Sequence, residues 1–337
     1  MRHASAPSRR AGHDVPVERF GTFRDEPVYR ATLTSDAGVA VNILSYGAVI
    51  QSWTVPGADG MPRQATLGFE AFAPYPEHSR SFGIIAGRLA NRVRDARFTL
   101  EGRTYALDRN KGRHHIHGGS EGFGRSLWRL DADDRAARLS LRSPDGAMGY
   151  PGAVDVGVEI TLDEHAVTFA MTAVPDRATP IALAQHSYYR LGGPTREHRL
   201  AVATDRVTLK DADKVATGEV VPVDGTPLDF RTERPIGNLD LDDNFCLTGA
   251  APAATLTGRD LALTLVTDRP GLQVYNAYDM PPVAMPGLDG ERYGPRCAVA
   301  LEAQDWPNAV NHEGFPSVVV TPDRPYRQVT AVTIVPA

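Results

Sequence analysis

Only two cysteines, Cys246 and Cys297, occur among the 337 residues. They are too few and too far apart for a disulfide framework or a thiolate metal cage, and read as small buried hydrophobes. No stretch approaches the ~18 uninterrupted apolar residues of a spanning helix, so membrane insertion is not expected. There is no dense Lys/Arg stripe, and the formal net charge is −5. The electrostatic footprint of nucleic-acid binding is therefore missing, and a small neutral ligand fits better. The first residues include Arg2, Arg9 and Arg10 but no apolar run of signal-peptide length before Pro16. Residues 1–16 read as a flexible leader and 17–337 as a single domain of a cytoplasmic protein. Long amphipathic helical patterns are scarce too, and 26 prolines and 31 glycines break the chain into short pieces.

What the chain has instead is alternation. Val154, Val156, Val158, Ile160 and Leu162 are apolar at every second position, and the pattern resumes at Val167, Phe169 and Met171 after Asp163-Glu164-His165. That is the period of a half-buried strand, and the break predicts a hairpin. A second hairpin is predicted where Arg97 to Leu100 and Thr104 to Leu107 flank Glu101-Gly102-Arg103. Further strands are expected at Val39 to Leu44, Leu261 to Val266, Ala298 to Glu302 and Ser317 to Thr321. The fold class that follows is all-β, an antiparallel sandwich. Segments near Pro56 to Pro62 and Pro281 to Gly294 read as long surface loops, which in such folds commonly frame a binding site.

Four polar clusters carry the chemistry. In Arg113-His114-His115-Ile116-His117-Gly118-Gly119, His115 and His117 would share a strand face, as paired metal ligands do. In Ala184 to Gly193, His186 sits among aromatics and can exchange a proton near neutral pH. Glu302 ends the apolar run Ala298 to Leu301, which delivers a carboxylate beside a cavity where burial would make it a better base. In Gly87 to Val93, arginine and asparagine donors stand ready for hydroxyl groups.

Taken in order, these clusters resemble the galactose mutarotase (aldose 1-epimerase) family. The runs that carry the resemblance are Gly87-Arg88 with Ala90-Asn91-Arg92, His117-Gly118-Gly119, His186 with Tyr188 and Leu191, Asp242 with Asn244-Phe245, and Leu301-Glu302 with Gln304 and Asn311. The resemblance implies a large antiparallel β-sandwich, the supersandwich of galactose mutarotase-like proteins, holding a free sugar in an open cleft. It implies Glu302 as general base and His186 as general acid, with Arg88, His117 and Asp242 holding the sugar. Asn91 and Gln304 fall within the same motifs as substrate-binding positions. The implied reaction interconverts the two anomers with no cofactor or metal, in a monomer or homodimer. Four positions depart from the pattern: His114, Arg190, Asp243 and the Asn276 of Tyr275-Asn276-Ala277. They bear on which sugar is chosen. Two other functions stay open on the residues alone. One is a metal-dependent β-barrel enzyme using His115 and His117, and the other a sugar-binding protein without catalysis.

Overall fold

The computed structural model describes residues 17–79 and 81–337. The expected leader over 1–16 lies outside the described residues. Among the described residues the α-helix content is a single four-residue turn, Tyr75–His78, and antiparallel strands dominate. Three sheets organise them. A nine-stranded sheet runs from Arg129–Ala132 through Val154–Asp163, Ala166–Pro175 and Tyr326–Pro336 to Arg234–Pro235. A six-stranded sheet has the order Tyr188–Tyr189, Val299–Gln304, Gly271–Tyr275, Asp242–Leu247, Thr204–Lys210, Ala216–Pro222. A five-stranded meander over Glu18 to Gln64 completes the set.

Alternation decides which way each sheet faces. Val154, Val156, Val158 and Ile160 of the large sheet share one buried cluster with Val299, Leu301 and Ala303, and with Leu272, Val274 and Phe245, of the six-stranded sheet. Successive strand side chains point to opposite faces. Ala300, Glu302 and Gln304 must therefore lie on the other face, as must Gln273, Tyr275, Asp242 and Asn244. Ala300 accordingly belongs to a second apolar cluster with Tyr188, Ala277 and Met280. The six-stranded sheet thus has one dry face against the core and one face carrying polar side chains. That second face is the floor of a cleft.

The two predicted hairpins form, with tighter turns than the sequence suggested. Leu100 pairs with Arg103, so the turn is Glu101-Gly102 alone, both at positive φ (51° and 77°) as a two-residue hairpin requires. Asp163 pairs with Ala166, leaving Glu164-His165 as the turn. Strands Ala40–Leu44, Leu261–Thr267 and Val299–Gln304 lie where expected, but Ser317 to Thr321 contributes only Val319–Val320. Pro56 and Pro62 pair directly across a five-residue hairpin connection, so this segment is not a long loop. The Pro281 to Gly294 segment is one, and it starts at the rim of the cleft, where Pro281 is part of the wall.

Candidate active site

The cleft holds about 270 Å³ and opens above the polar face of the six-stranded sheet, with His117, His186, Glu302, Asp242, Asn91 and Arg92 in its wall. Sheet register builds its floor. Glu302 pairs with Gln273, and Gln273 with Asn244, while Ala300 pairs with Tyr275 and with Tyr188, and Tyr275 with Asp242. One cross-strand row is therefore Glu302, Gln273 and Asn244, and the next is Tyr188, Ala300, Tyr275 and Asp242. The small side chain of Ala300 leaves room between the larger ones.

Glu302 and His186 meet in this floor. His186 Nε2 is 3.4 Å from Glu302 Oε1, and both side chains are almost wholly buried. The His186 ring stacks on Tyr188, with centroids 4.9 Å apart and planes 26° apart. Burial pushes both groups toward their neutral forms. It pulls the His186 pKa down to about 4, and it pushes the Glu302 carboxyl well above the usual range, helped by the negative charge of Asp242 and opposed by Arg92. The second carboxyl oxygen of Glu302 is buried without a hydrogen-bond partner among the described residues. A buried, unpartnered carboxyl oxygen at a cleft floor is an expensive arrangement that a ligand hydroxyl would relieve.

His117 completes the centre. Its Nδ1 accepts the Asn91 backbone N–H at 3.2 Å, so the neutral ring carries its proton on Nε2. Burial first, then the neighbouring His186 and Arg92, hold its pKa well below 6.5 and keep that donor neutral. The chain reaches this geometry through two left-handed residues, Asn91 (φ 60°) and His117 (φ 51°), beside Gly118 (φ 86°). A Cβ on Gly118 would come within 1.6 Å of the Gly87 carbonyl oxygen, so only glycine fits that approach. Asp242 accepts a 2.8 Å hydrogen bond from Gln273 Nε2 and stands 3.4 Å from Lys214 Nζ and 3.9 Å from Arg92 Nη1.

Two expected binding residues are placed elsewhere. Arg88 is buried with its guanidinium turned away from the cleft. It donates to Ser143 Oγ at 2.8 Å and to the carbonyls of Pro144 and Pro151 at 2.9 Å, over the Tyr150 ring. Burial lowers its pKa to about 10. Arg92, four residues on, is the arginine in the cleft wall. The left-handed turn at Asn91 breaks the strand alternation that sequence reading would use to choose between them. Gln304 lies on the same strand face as Glu302 but is fully buried and outside the cleft wall, its amide donating to the Asp305 carbonyl at 3.2 Å. Sequence reading also missed Tyr275, Lys214 and Asp279. Tyr275 was legible only as the neighbour of the departing Asn276, and the other two carry no motif signal.

His115 and His117 do not face one another. The strand there is only His115–Ile116, and the chain leaves the extended region at His117. The His115 ring turns into the interior, donating from Nδ1 to the Asp108 carbonyl at 2.7 Å and accepting at Nε2 from the Tyr150 hydroxyl at 2.6 Å. Among the described residues the group with metal-ligand chemistry is a different one: His117, His186 and Glu302, whose ligand atoms lie within 4.8 Å of one another. It is the same trio that suits acid–base work.

Comparison with known proteins gives the family. Residues 29–333 match the family model described as aldose 1-epimerase. The galactose mutarotase of Sus scrofa is 32% identical over 319 residues, which cover 90% of this chain and 93% of that protein. The aldose 1-epimerase of Escherichia coli K12 is 29% identical, covering 86% and 90%. Among solved structures, the aldose epimerase homologue from C. elegans superposes with a TM-score of 0.86 at 25% identity, covering 91% of this chain and 99% of that one. The galactose 1-epimerase from Lactobacillus acidophilus gives 0.83 at 26% identity, covering 96% and 99%. With a cleft that buries a glutamate against a histidine, and with likeness over nearly its whole length, the chain belongs to the aldose 1-epimerase family.

Proposed function

We propose that this protein interconverts the α and β anomers of a free aldose, with Glu302 and His186 as the proton-transfer pair. The observation that carries the reading is their 3.4 Å approach in the floor of a polar cleft. In ring opening, Glu302 carboxylate takes the proton from the C1 hydroxyl, and the O–H electron pair becomes the C1=O bond. The C1 to ring-oxygen bond breaks, and its pair takes the proton from His186. Rotation about C1–C2 then presents the other carbonyl face. Reversal of both transfers closes the ring as the other anomer, so acid and base exchange roles within one turnover.

The electrostatics of the pair suit this sequence. Ring opening leaves Glu302 protonated and His186 neutral. Those are the forms that burial favours, so the site stabilises the protonation state that accompanies the open-chain aldehyde. The reactive ring-closed complex is the one in which a single proton on the pair sits on His186. His117, held neutral with its proton on Nε2, donates to the sugar oxygen on which charge develops, and Arg92 supplies positive charge at the same wall. Asp242, tied to Gln273, accepts from a sugar hydroxyl. Asn91 holds His117 through its backbone and lines the cleft itself.

This chemistry uses only the chain's own groups, and we assign the protein to the cytoplasm as an isomerase of free sugars. The test is polarimetry on freshly dissolved pure anomers from a panel of aldoses. At least one should equilibrate faster with the protein, equally fast after exhaustive chelation. Loss of rate on chelation, restored by a transition metal, would favour metal chemistry at His117, His186 and Glu302 instead.

A further inference from the structure

Three of the four departures from the family pattern gather around one wall of the cleft. His114 lies 3.2 Å from Asp213, next to Lys214 in the hairpin between Thr204–Lys210 and Ala216–Pro222. Asp243 pairs with Lys210 of the same hairpin at 2.7 Å. Asn276 accepts from the Leu241 backbone N–H and donates to the Leu239 carbonyl, which fixes the approach to Asp242. Arg190, the fourth, lies apart and pairs with Glu291.

Lys214 is what this scaffolding presents. It lines the cleft at φ 61°, a region that side chains other than glycine rarely adopt. Its turn is pinned from both ends, by Arg94 on Asp211 at 2.8 Å and by Arg113 and His114 on Asp213 at 3.2 Å. The ammonium lies 2.6 Å from Asp279 and 3.4 Å from Asp242, over the Tyr278 ring. Tyr275 donates to the other Asp279 oxygen at 2.7 Å. The wall therefore presents an acceptor, a donor and an acceptor in sequence: Asp279, Lys214, Asp242. A pair of neighbouring sugar hydroxyls, each able to donate and accept, complements that array.

Sheet order says which hydroxyls these are. The Asp242 strand stands two places from the Glu302 strand, on the side away from His186. Two strand spacings are roughly 10 Å. With C1 and the ring oxygen at Glu302 and His186, this wall meets the side of the ring far from C1.

We propose that Lys214 and Asp279 are specificity-determining residues that read a vicinal diol on the far side of the aldopyranose ring, at C3 and C4. This rests on the proposed seating of the sugar, with C1 and the ring oxygen at Glu302 and His186, but not on turnover itself. The test is titration calorimetry of galactose and glucose and their 3-deoxy, 4-deoxy and 6-deoxy analogues, with wild type, Lys214→Met, Lys214→Arg and Asp279→Asn. Folding is checked by circular dichroism and turnover by polarimetry on the same samples. Wild type should bind the 3-deoxy or 4-deoxy analogue about ten-fold or more weakly than the parent sugar. In Lys214→Met that ratio should fall toward one, while any 6-deoxy penalty is unchanged. Lys214→Arg should keep part of the discrimination. An undiminished 3-deoxy and 4-deoxy penalty in folded Lys214→Met would overturn the proposal. So would a uronic acid that wild type prefers over neutral sugars and Lys214→Met does not, which would make Lys214 a carboxylate site. Discrimination as expected without anomer interconversion would instead overturn the catalytic reading and leave this one standing.

Discussion

Two arginines four residues apart should fail in different ways, and the contrast tests how the cleft is built. Arg88→Met removes a buried guanidinium that donates to Ser143 and to the Pro144 and Pro151 carbonyls. Hydrogen bonds to a charged group contribute about 1.5–3 kcal/mol each, and acceptors left unpaired in the interior carry a desolvation penalty of similar size. Against that loss, the substitution also removes the cost of keeping a charge that no carboxylate approaches within ion-pair distance among the described residues. The net expectation is a destabilisation of about 2–4 kcal/mol. At roughly 2 °C per kcal/mol, near the lower bound for larger domains, Tm should fall by about 4–8 °C. Arg88 reaches no ligand-facing wall of the cleft, so kcat/KM should change by only a few-fold at a temperature where the variant is folded. Arg92→Met should do the reverse. It removes a charge-assisted donor from the cleft, worth about 1.5–3 kcal/mol, or on the order of 10- to 150-fold in kcat/KM, with little change in Tm. Differential scanning calorimetry and polarimetric kinetics on the two variants decide it. Unchanged melting with a ten-fold rise in KM for Arg88→Met would refute this assignment and restore Arg88 as the sugar-holding arginine.

Other consequences are equally specific. Turnover should follow a bell in pH. Because burial lowers His186 to about 4 and raises Glu302 well above the ordinary carboxyl value of 4.5, the acid limb should lie near pH 4 and the alkaline limb well above 4.5. An acid limb at the ordinary histidine value of 6.5 would contradict that burial. The two limbs belong to the pair and not to either residue alone. His117→Asn should weaken sugar binding and cost some turnover as well, since it removes the Nε2–H donor; steady-state kinetics resembling wild type would take His117 out of the site. Gly118→Ala should destabilise the chain or distort the His117 turn, because its Cβ would collide with the Gly87 carbonyl. A crystal structure showing that turn intact, with normal activity, would contradict the close approach.

Much of this was visible in the residue order, for reasons that also mark where visibility ended. Alternation over Val154 to Leu162 announced strands with one apolar face, because a sheet packed on one side must place every second residue in the core. Ala298 to Leu301 is an unbroken apolar run that signals a strand but not its facing; the structure packs Val299 and Leu301 in the core and so turns Glu302, one residue on, into the cleft floor. Alternation cannot say how far along a face the cleft extends, so Gln304, on the same face, was grouped with it although it lies outside the wall. Alternation also fails at left-handed residues. The turn at Asn91 puts Arg92 in the cleft and leaves Arg88 in the interior, and the turn at His117 parts it from His115. Lys214 and Asp279 come from a hairpin and a loop that only the sheet order brings together. No local pattern encodes that meeting.

The central claim is that Glu302 and His186 exchange one proton with the sugar, and Glu302→Gln measures it most directly. Glutamine is nearly the same size but cannot accept the anomeric proton. With folding verified by circular dichroism, the rate of optical-rotation change on the best aldose anomer should fall by about 10²- to 10⁴-fold or more, as loss of a positioned acid or base does. His186→Asn should also suppress turnover, and the double variant should lose far less than the product of the two effects, because the groups act as one unit. A folded Glu302→Gln protein that equilibrates the anomers at close to the wild-type rate would contradict the mechanism.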